Sequence, residues 1–569
     1  MRAMVLRAAC LVALAWVALP GAAGAATDPA DQAPFGGADV PPLVDPGGLD
    51  AQPAGFSLDV HAALDLANVT PQAREFFSRS ADEGGDVNVT IATRGTDRWE
   101  VRYRRDGEIK ALVIVDDPAA RVVEAWTGAQ VETKLARGYE DAVAGDLNEW
   151  YVWVPLCLLF LAPFVDPRRL FRRLVHLDLL ALLGFSASLF FFNKGEIGVS
   201  APLVYPVLVY LLVRMLIAGF RPAARPRSER ERLTWARPSW LAVGVALLAA
   251  FHVYWAVDQA KAIDVGVAGV VGADRLLDGD DVYSEDFTSE LPESGDVRGD
   301  VYGPVNYLAY VPAEQAFPWE DEWDDVPAAR YAALAFDLLT ALALFALGGR
   351  LRDRGAKDQD RDDPTLGLAL AFAWLAYPFT LYTLGSSFND SLVGLAVVAC
   401  MLALASPPAR GALAALSGLT KFGTLALVPL FAAGTGERRP RTIAVFALAF
   451  VAAAAIVTVP LLPDGGPREL YDRSIGYQAS RGSPFSLWGQ APSLEPLQTL
   501  TKVFAVGLAV AVFFVPRRRS VAQVAALGAA VMIAVQLTAN HWFYPYAVWF
   551  APLVLAAIFS SYWTARQPT

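Results

Sequence analysis

Long apolar runs, rather than the alternating stripes of a soluble domain, dominate most of this chain. Eleven of them read as membrane spans: residues 149–165, 175–193, 199–220, 238–257, 329–349, 365–385, 391–406, 442–462, 500–515, 520–538 and 543–562. A helix needs about 20 apolar residues to cross roughly 30 Å of hydrocarbon. Upstream the pattern changes. "MRAMVLRAACLVALAWVALPGAAGA" starts with Arg2 and Arg7, continues through an apolar core and ends in small residues. This is the pattern of a secretory signal peptide over 1–26, with an uncleaved anchor as the alternative. Residues 27–55, rich in Pro, Gly, Asp and Ala, read as a linker. "TPQAREFFSRSA" then has helical spacing, and "VNVTIATR", "RWEVRYRR", "KALVIVDD" and "RVVEAW" alternate as strands do. A helix followed by a meander of about four strands predicts a small α+β domain ending near 148.

Charge turns this list of spans into a topology. Lys and Arg collect on the cytoplasmic side of membrane proteins. "DPRRLFRR", "RPAARPRSERER" and "GGRLRDRGAKDQDR" all fall on that side if the α+β domain is exported. The stretch 411–434 decides the remainder. As a single crossing it places "ERRPR" and the later "RRRS" outside; as a helical hairpin it keeps both inside and carries Lys421 at its tip. The hairpin is the better reading. Two outer loops follow, 258–328 and 463–498, and the first holds eighteen Asp and Glu against three Lys and Arg. The expected fold is mainly α: a polytopic membrane helical bundle of about 11–13 transmembrane segments behind a small exported α+β domain. Residues 149–237 form accessory spans and 238–569 the core. A net charge of −11 gives no basic face for nucleic acid. Three cysteines (Cys10, Cys157, Cys400) are too few for a disulfide framework.

Candidate chemistry lies in the outward loops. Asp264 sits just past a span, where a carboxylate can accept the proton of an attacking hydroxyl. Asp258 is its rival, and Asp274, Asp278, Asp280 and Asp281 read as solvated surface. "ELYDRSIGYQASRGSPFSLWGQ" interleaves Tyr471, Tyr477, Phe485 and Trp488 with Arg473, Gln478 and Arg481. Arginine forks around phosphate oxygens, and Arg481, before a Gly-Ser-Pro turn, is the better phosphate ligand. Lys421 stands in an apolar run, where a cation costs roughly 2.5–3.5 kcal/mol and so needs a partner. Asp337, within "YAALAFDLLTALALF", is costly for the same reason. His541, Tyr283, Tyr302 and Asp390 also face outward and complete the candidates for phosphate or sugar contact. "YGPVNYL" predicts a re-entrant or interfacial helix with Pro304 in its first turn. There is no P-loop, GxGxxG, HExxH or CxxC, so no cofactor is expected. The eighteen acids of the first outer loop could hold a divalent ion, but no spacing demands one, and no metal site is expected.

Taken together, "AIDVGVAGVVGADRLLDGDDVY", "YGPVNYLAYVPAEQAFP", "YPFTLYTLGSSFNDSLVGL", "GLTKFGTLALVPL", "YDRSIGYQASRGSPFSLWG" and "NHWFYPYAVWFAPLVL" resemble the polytopic GT-C glycosyltransferases. They are most similar to the GT87-type mannosyltransferase-like proteins of actinobacteria, over about 240–562. The resemblance implies a mannose- or arabinose-like sugar carried on a polyprenyl phosphate and used on the outer face of the plasma membrane. It also implies a lipid or glycan acceptor and a general-base acid in the first outer loop, the position of Asp264. Inversion at the anomeric carbon is expected, with Arg481, Lys421 and His541 on the donor phosphate. Tyr283, Tyr302, Asp390, Gln478 and Trp488 are then expected around the substrates. The chain departs from that plan because three spans and the exported domain precede its core. The exported domain itself resembles PepSY-like modules. A flippase for lipid-linked sugars, or a membrane scaffold without catalysis, are the alternatives from other classes.

Overall fold

The computed structural model describes residues 43–48, 51–105, 108–127, 145–165, 173–193, 197–221, 233–260, 262, 264–284, 287, 299–320, 326–351, 363–436, 438–480 and 485–562. The signal peptide, most of the linker, Arg481 and the side chain of Asp264 lie outside the described residues.

The N-terminal module is an antiparallel sheet in the order β1 (Leu43–Val44), β2 (Val87–Arg94), β3 (Arg98–Arg105), β4 (Glu108–Asp116), β5 (Arg121–Thr127). The four strands predicted from alternation are all present, and β1 adds a short edge. Two helices, Val60–Asn68 and Pro71–Glu83, precede the meander where the sequence predicts one. They cover the sheet face that carries Trp99, Val101, Tyr103, Val113 and Val115. Asp117, just past β4, accepts from Ser57 N (2.6 Å), Leu58 N (2.9 Å) and Trp99 Nε1 (3.0 Å). Against the upward push of burial, these donors hold its carboxyl below the usual range.

The remainder is a polytopic helical bundle. Among the described residues six helices are long and apolar enough to cross a membrane: Leu174–Phe192, Gly198–Phe220, Pro238–Asp258, Pro327–Leu351, Pro440–Leu461 and Glu495–Phe514. Several begin at a proline, whose missing N–H costs nothing in the first turn. A seventh candidate, predicted as one span over 365–385, is broken: Thr365–Ala376 and Pro378–Gly385 meet at 52°. Tyr377 takes an extended conformation before Pro378, as the residue before a proline tends to. Other stretches predicted as full spans are shorter helices, among them Trp150–Leu161, Asp390–Leu402, Val521–Gln536 and Tyr544–Phe559. The last two are almost wholly buried against other helices. A helix wrapped in protein has no need of the full lipid thickness.

The hairpin is present. Pro407–Thr420 runs in, the chain extends at Lys421, and Phe422–Ala433 returns beside it. Ser417 Oγ donates to Thr424 Oγ1 (3.0 Å) near the tip. At the base Arg410 Nη2 donates to Ala432 O (3.3 Å). The base joins the basic segments: Arg438 donates to the carbonyls of Phe514 (2.7 Å) and Arg517 (3.1 Å), and Arg519 N donates to Thr435 O (3.2 Å). The basic residues Arg438, Arg517 and Arg519 therefore share one end of the bundle and the Lys421 tip lies at the other, as the charge pattern predicts.

Candidate active site

Four segments far apart in sequence converge on the hairpin tip. The first is the loop 299–303. Gly303 lies so close to the hairpin that an added Cβ would sit 1.9 Å from Leu419 O, so only glycine fits there. This contact sets Tyr302 beside Lys421. Behind Tyr302, the buried Tyr283 donates its hydroxyl to the Tyr302 carbonyl (3.0 Å) and braces the loop.

The second segment is the turn 386–390, which opens the helix Asp390–Leu402. Ser387 takes a left-handed conformation (φ 51°), uncommon for a residue with a side chain and frequent at functional sites. Asn389 Nδ2 donates to Asn306 Oδ1 (2.5 Å), tying the turn to the helix Pro304–Ala316. One helical turn further along that helix is the buried Tyr310, whose hydroxyl is pushed up by burial and by the Asp390 carboxylate.

The third segment is the helix Asp264–Asp278. A Cβ at Gly266 would stand 2.8 Å from Ser387 O, so the first turn of the helix that Asp264 opens is packed on this same turn. Asp258, the rival base, ends the preceding span, exposed, and accepts from Gln259 Nε2 (2.6 Å).

The fourth segment is Tyr544–Phe559. Its Trp549 indole donates to Asp390 Oδ1 at 2.5 Å, and Lys421 Nζ donates to the same oxygen at 2.8 Å. Asp390 is 1% exposed and Lys421 11%. The ammonium lies 5.3 Å from the Trp549 ring centre, 5.6 Å from Tyr546 and 6.0 Å from Tyr302. A carboxylate on one side and ring faces on the others hold the cation, which sorts well with a membrane-level site. Asp390 Oδ2 is buried without a hydrogen-bond partner.

Of the residues singled out from sequence, Tyr302, Asp390 and Lys421 meet directly, and Gly266, in the first turn of the helix that Asp264 opens, packs on the turn that supplies Asp390. His541 is one ring away, 6.2 Å from Tyr546, and also packs on Phe485 (5.6 Å). Trp488 is spent elsewhere: its indole donates to Leu537 O (3.0 Å) and its ring meets Tyr205. Gln478 is exposed, just past a π-helical turn, Asp472–Gly476. In that turn Arg473 bridges the two long loops of the core, from Asp300 Oδ2 (3.0 Å) to Glu469 Oε1 (2.8 Å). The Arg473 side chain and the Gly465 N–H hold the Glu469 carboxyl below its usual range.

Sequence reasoning missed Trp549, Tyr546, Asn306 and the role of Asn389. The general rule that an indole N–H in an apolar run needs an acceptor does not say which acceptor it finds, so it did not single out Trp549.

A second intramembrane acid singled out from sequence, Asp337, is paired inside the bundle. His252 Nδ1 lies 2.7 Å from Asp337 Oδ2, His252 Nε2 lies 2.8 Å from Leu375 O, and Trp374 Nε1 donates to Asp337 Oδ1 (2.8 Å). A carbonyl only accepts, so Nε2 carries a proton. The remaining proton is shared between Nδ1 and the carboxylate, and the pair is neutral overall.

No curated protein is significantly similar to this chain. The family model described as Glycosyltransferase family 87 matches residues 301–536. That stretch contains Tyr302, Asn306, Asn389, Asp390 and Lys421; it leaves out Asp264, His541 and Trp549. This multi-pass membrane protein thus carries a glycosyltransferase family 87 domain over residues 301–536.

Proposed function

We propose that the protein moves a mannose- or arabinose-like sugar from a polyprenyl-phosphate carrier to a lipid or glycan of the cell envelope, on the outer face of the plasma membrane. Asp264 takes the proton of the acceptor hydroxyl. The freed oxygen pair forms the new bond to the anomeric carbon while the bond from that carbon to the carrier's phosphate oxygen breaks. The carrier departs from the opposite face with the electron pair, so the centre inverts. A phosphate leaving group needs its developing charge stabilised more than it needs a proton. Lys421 supplies a fixed cation for it, with Arg481 and His541 as further donors.

The observation that carries this reading is the convergence on Lys421. A cation at the tip of a membrane hairpin is caged by Asp390, Trp549, Tyr546 and Tyr302. The turn that supplies Asp390 also receives the helix begun by Asp264. The family 87 match supports glycosyl transfer in general. Gathering of the basic segments at the opposite end supports an outward site.

The test is to incubate purified protein with radiolabelled decaprenyl phosphomannose or phosphoarabinose and a cell-envelope lipid extract. A labelled glycolipid or glycan is expected, and Asp264→Asn abolishes it while donor binding persists. Label that only crosses the bilayer of proteoliposomes, with no new product and no effect of Asp264→Asn, would identify a flippase instead.

A further inference from the structure

The Lys421 ammonium does not stand free. Asp390 Oδ1 holds it at 2.8 Å, and that oxygen is itself fixed by the Trp549 indole at 2.5 Å. Asp390 is almost completely buried and Lys421 nearly so. Breaking such a pair strands a charge in apolar surroundings, so the carboxylate stays with the lysine while a ligand comes and goes. The cation thus meets any phosphate as half of a neutral pair.

This matters because the charge of the carrier changes during transfer. A sugar-bearing polyprenyl phosphate is a diester with one negative charge. The released carrier is a monoester, whose second ionisation near pH 6 brings it close to two charges at neutral pH. A lone ammonium in low dielectric binds the dianion much more tightly than the monoanion. It would then be blocked by its own product.

We infer that Asp390 is a positioning residue that holds Lys421 as a neutral pair, aims its remaining N–H bonds and lets the dianionic carrier leave. The inference rests on the lipid-phosphate reading of the site. Trp549 is the second positioning residue: by donating to Oδ1 it keeps the carboxylate on the lysine.

The test compares equilibrium binding of two sugar-free probes to the full chain in detergent near neutral pH: decaprenyl phosphate, and its monoanionic methyl diester. The wild type is expected to bind the two within about threefold of each other. Asp390→Asn is expected to bind decaprenyl phosphate at least about tenfold more tightly, with a smaller gain for the diester. Turnover should become slower and more strongly product-inhibited, and Asp390→Glu should restore the wild-type balance. A purely structural role weakens both probes and slows turnover together, with no deeper product inhibition; that result overturns the inference. If Asp390→Asn does not fold, the wild-type comparison decides: a tenfold or greater preference for the monoester contradicts the neutral pair. The underlying reading has its own control. Lys421→Gln weakens both probes if the phosphate sits at Lys421; if it changes neither, the lipid-phosphate reading fails, whatever Asp390 does.

Discussion

Two buried acids in the bundle, Asp337 and Asp390, each accept a hydrogen bond from a tryptophan indole and each face a basic side chain. They differ in completeness. Both oxygens of Asp337 and both ring nitrogens of His252 are within hydrogen-bond distance of a partner, and the pair has no exposure. Asp390 uses one oxygen for two donors and leaves the other without a partner. Its lysine keeps some exposure beside the Tyr302 loop. A saturated pair fixes helices together; an unsaturated pair at the end of the bundle is equipped to meet a ligand. Buried polar atoms without partners are rare, and they concentrate where structure serves chemistry. Asp117 with Trp99 is a third version of the motif, in the N-terminal module, where backbone N–H groups complete the carboxylate.

The comparison can be broken by substitution. The largest effect is expected at the base. Asp264→Asn should lower transfer by about 10²–10⁴ with donor affinity retained, read as kcat against KM. Lys421→Gln should follow, at about 10²–10³ in kcat, the cost of removing one preorganised donor to a developing anion. Asp337→Leu leaves His252 without its carboxylate and should cost about 3–5 kcal/mol of stability, read by thermal unfolding in detergent. The surviving folded fraction should keep normal turnover. If Asp337→Leu instead lowers kcat at full stability, the division into structural and functional pairs is wrong. The smallest effect is a local one at Asp117. Its carboxyl is depressed when folded, so its contribution is present above the ordinary carboxylate value of about 4 and is lost as pH falls through the folded value. Hydrogen exchange at the Ser57 and Leu58 amides should quicken in that acid range and stay slow above it.

Much of this arrangement was legible in the sequence because charge in a membrane protein is sorted by side. That sorting alone favoured a hairpin over a crossing at 411–434 and put Lys421 at its tip. Tyr302 and Asp390 were legible as outward-facing, but not as neighbours of that tip. The number of full spans was not. Val521–Gln536 and Tyr544–Phe559 look like crossings because a helix buried in protein and a helix buried in lipid are equally apolar. The break at Tyr377 was visible as Pro378 but was read through, since apolar residues continue on both sides. Trp549 was hidden for a related reason: in "YAVWF" nothing distinguishes an indole that donates to a buried carboxylate from one that merely packs. Tyr283 was placed among the substrate contacts by its position in the loop, whereas its hydroxyl is spent on the Tyr302 backbone.

The most direct measurement is an experimental structure of the protein with decaprenyl phosphomannose bound. The account predicts the lipid phosphate within hydrogen-bonding distance, roughly 3 Å, of Lys421 Nζ. Asp390 should stay paired to that lysine, and the sugar should lie toward the turn 386–390 and the helix begun by Asp264. A phosphate seated instead among Arg438, Arg517 and Arg518 at the opposite end of the bundle would contradict it.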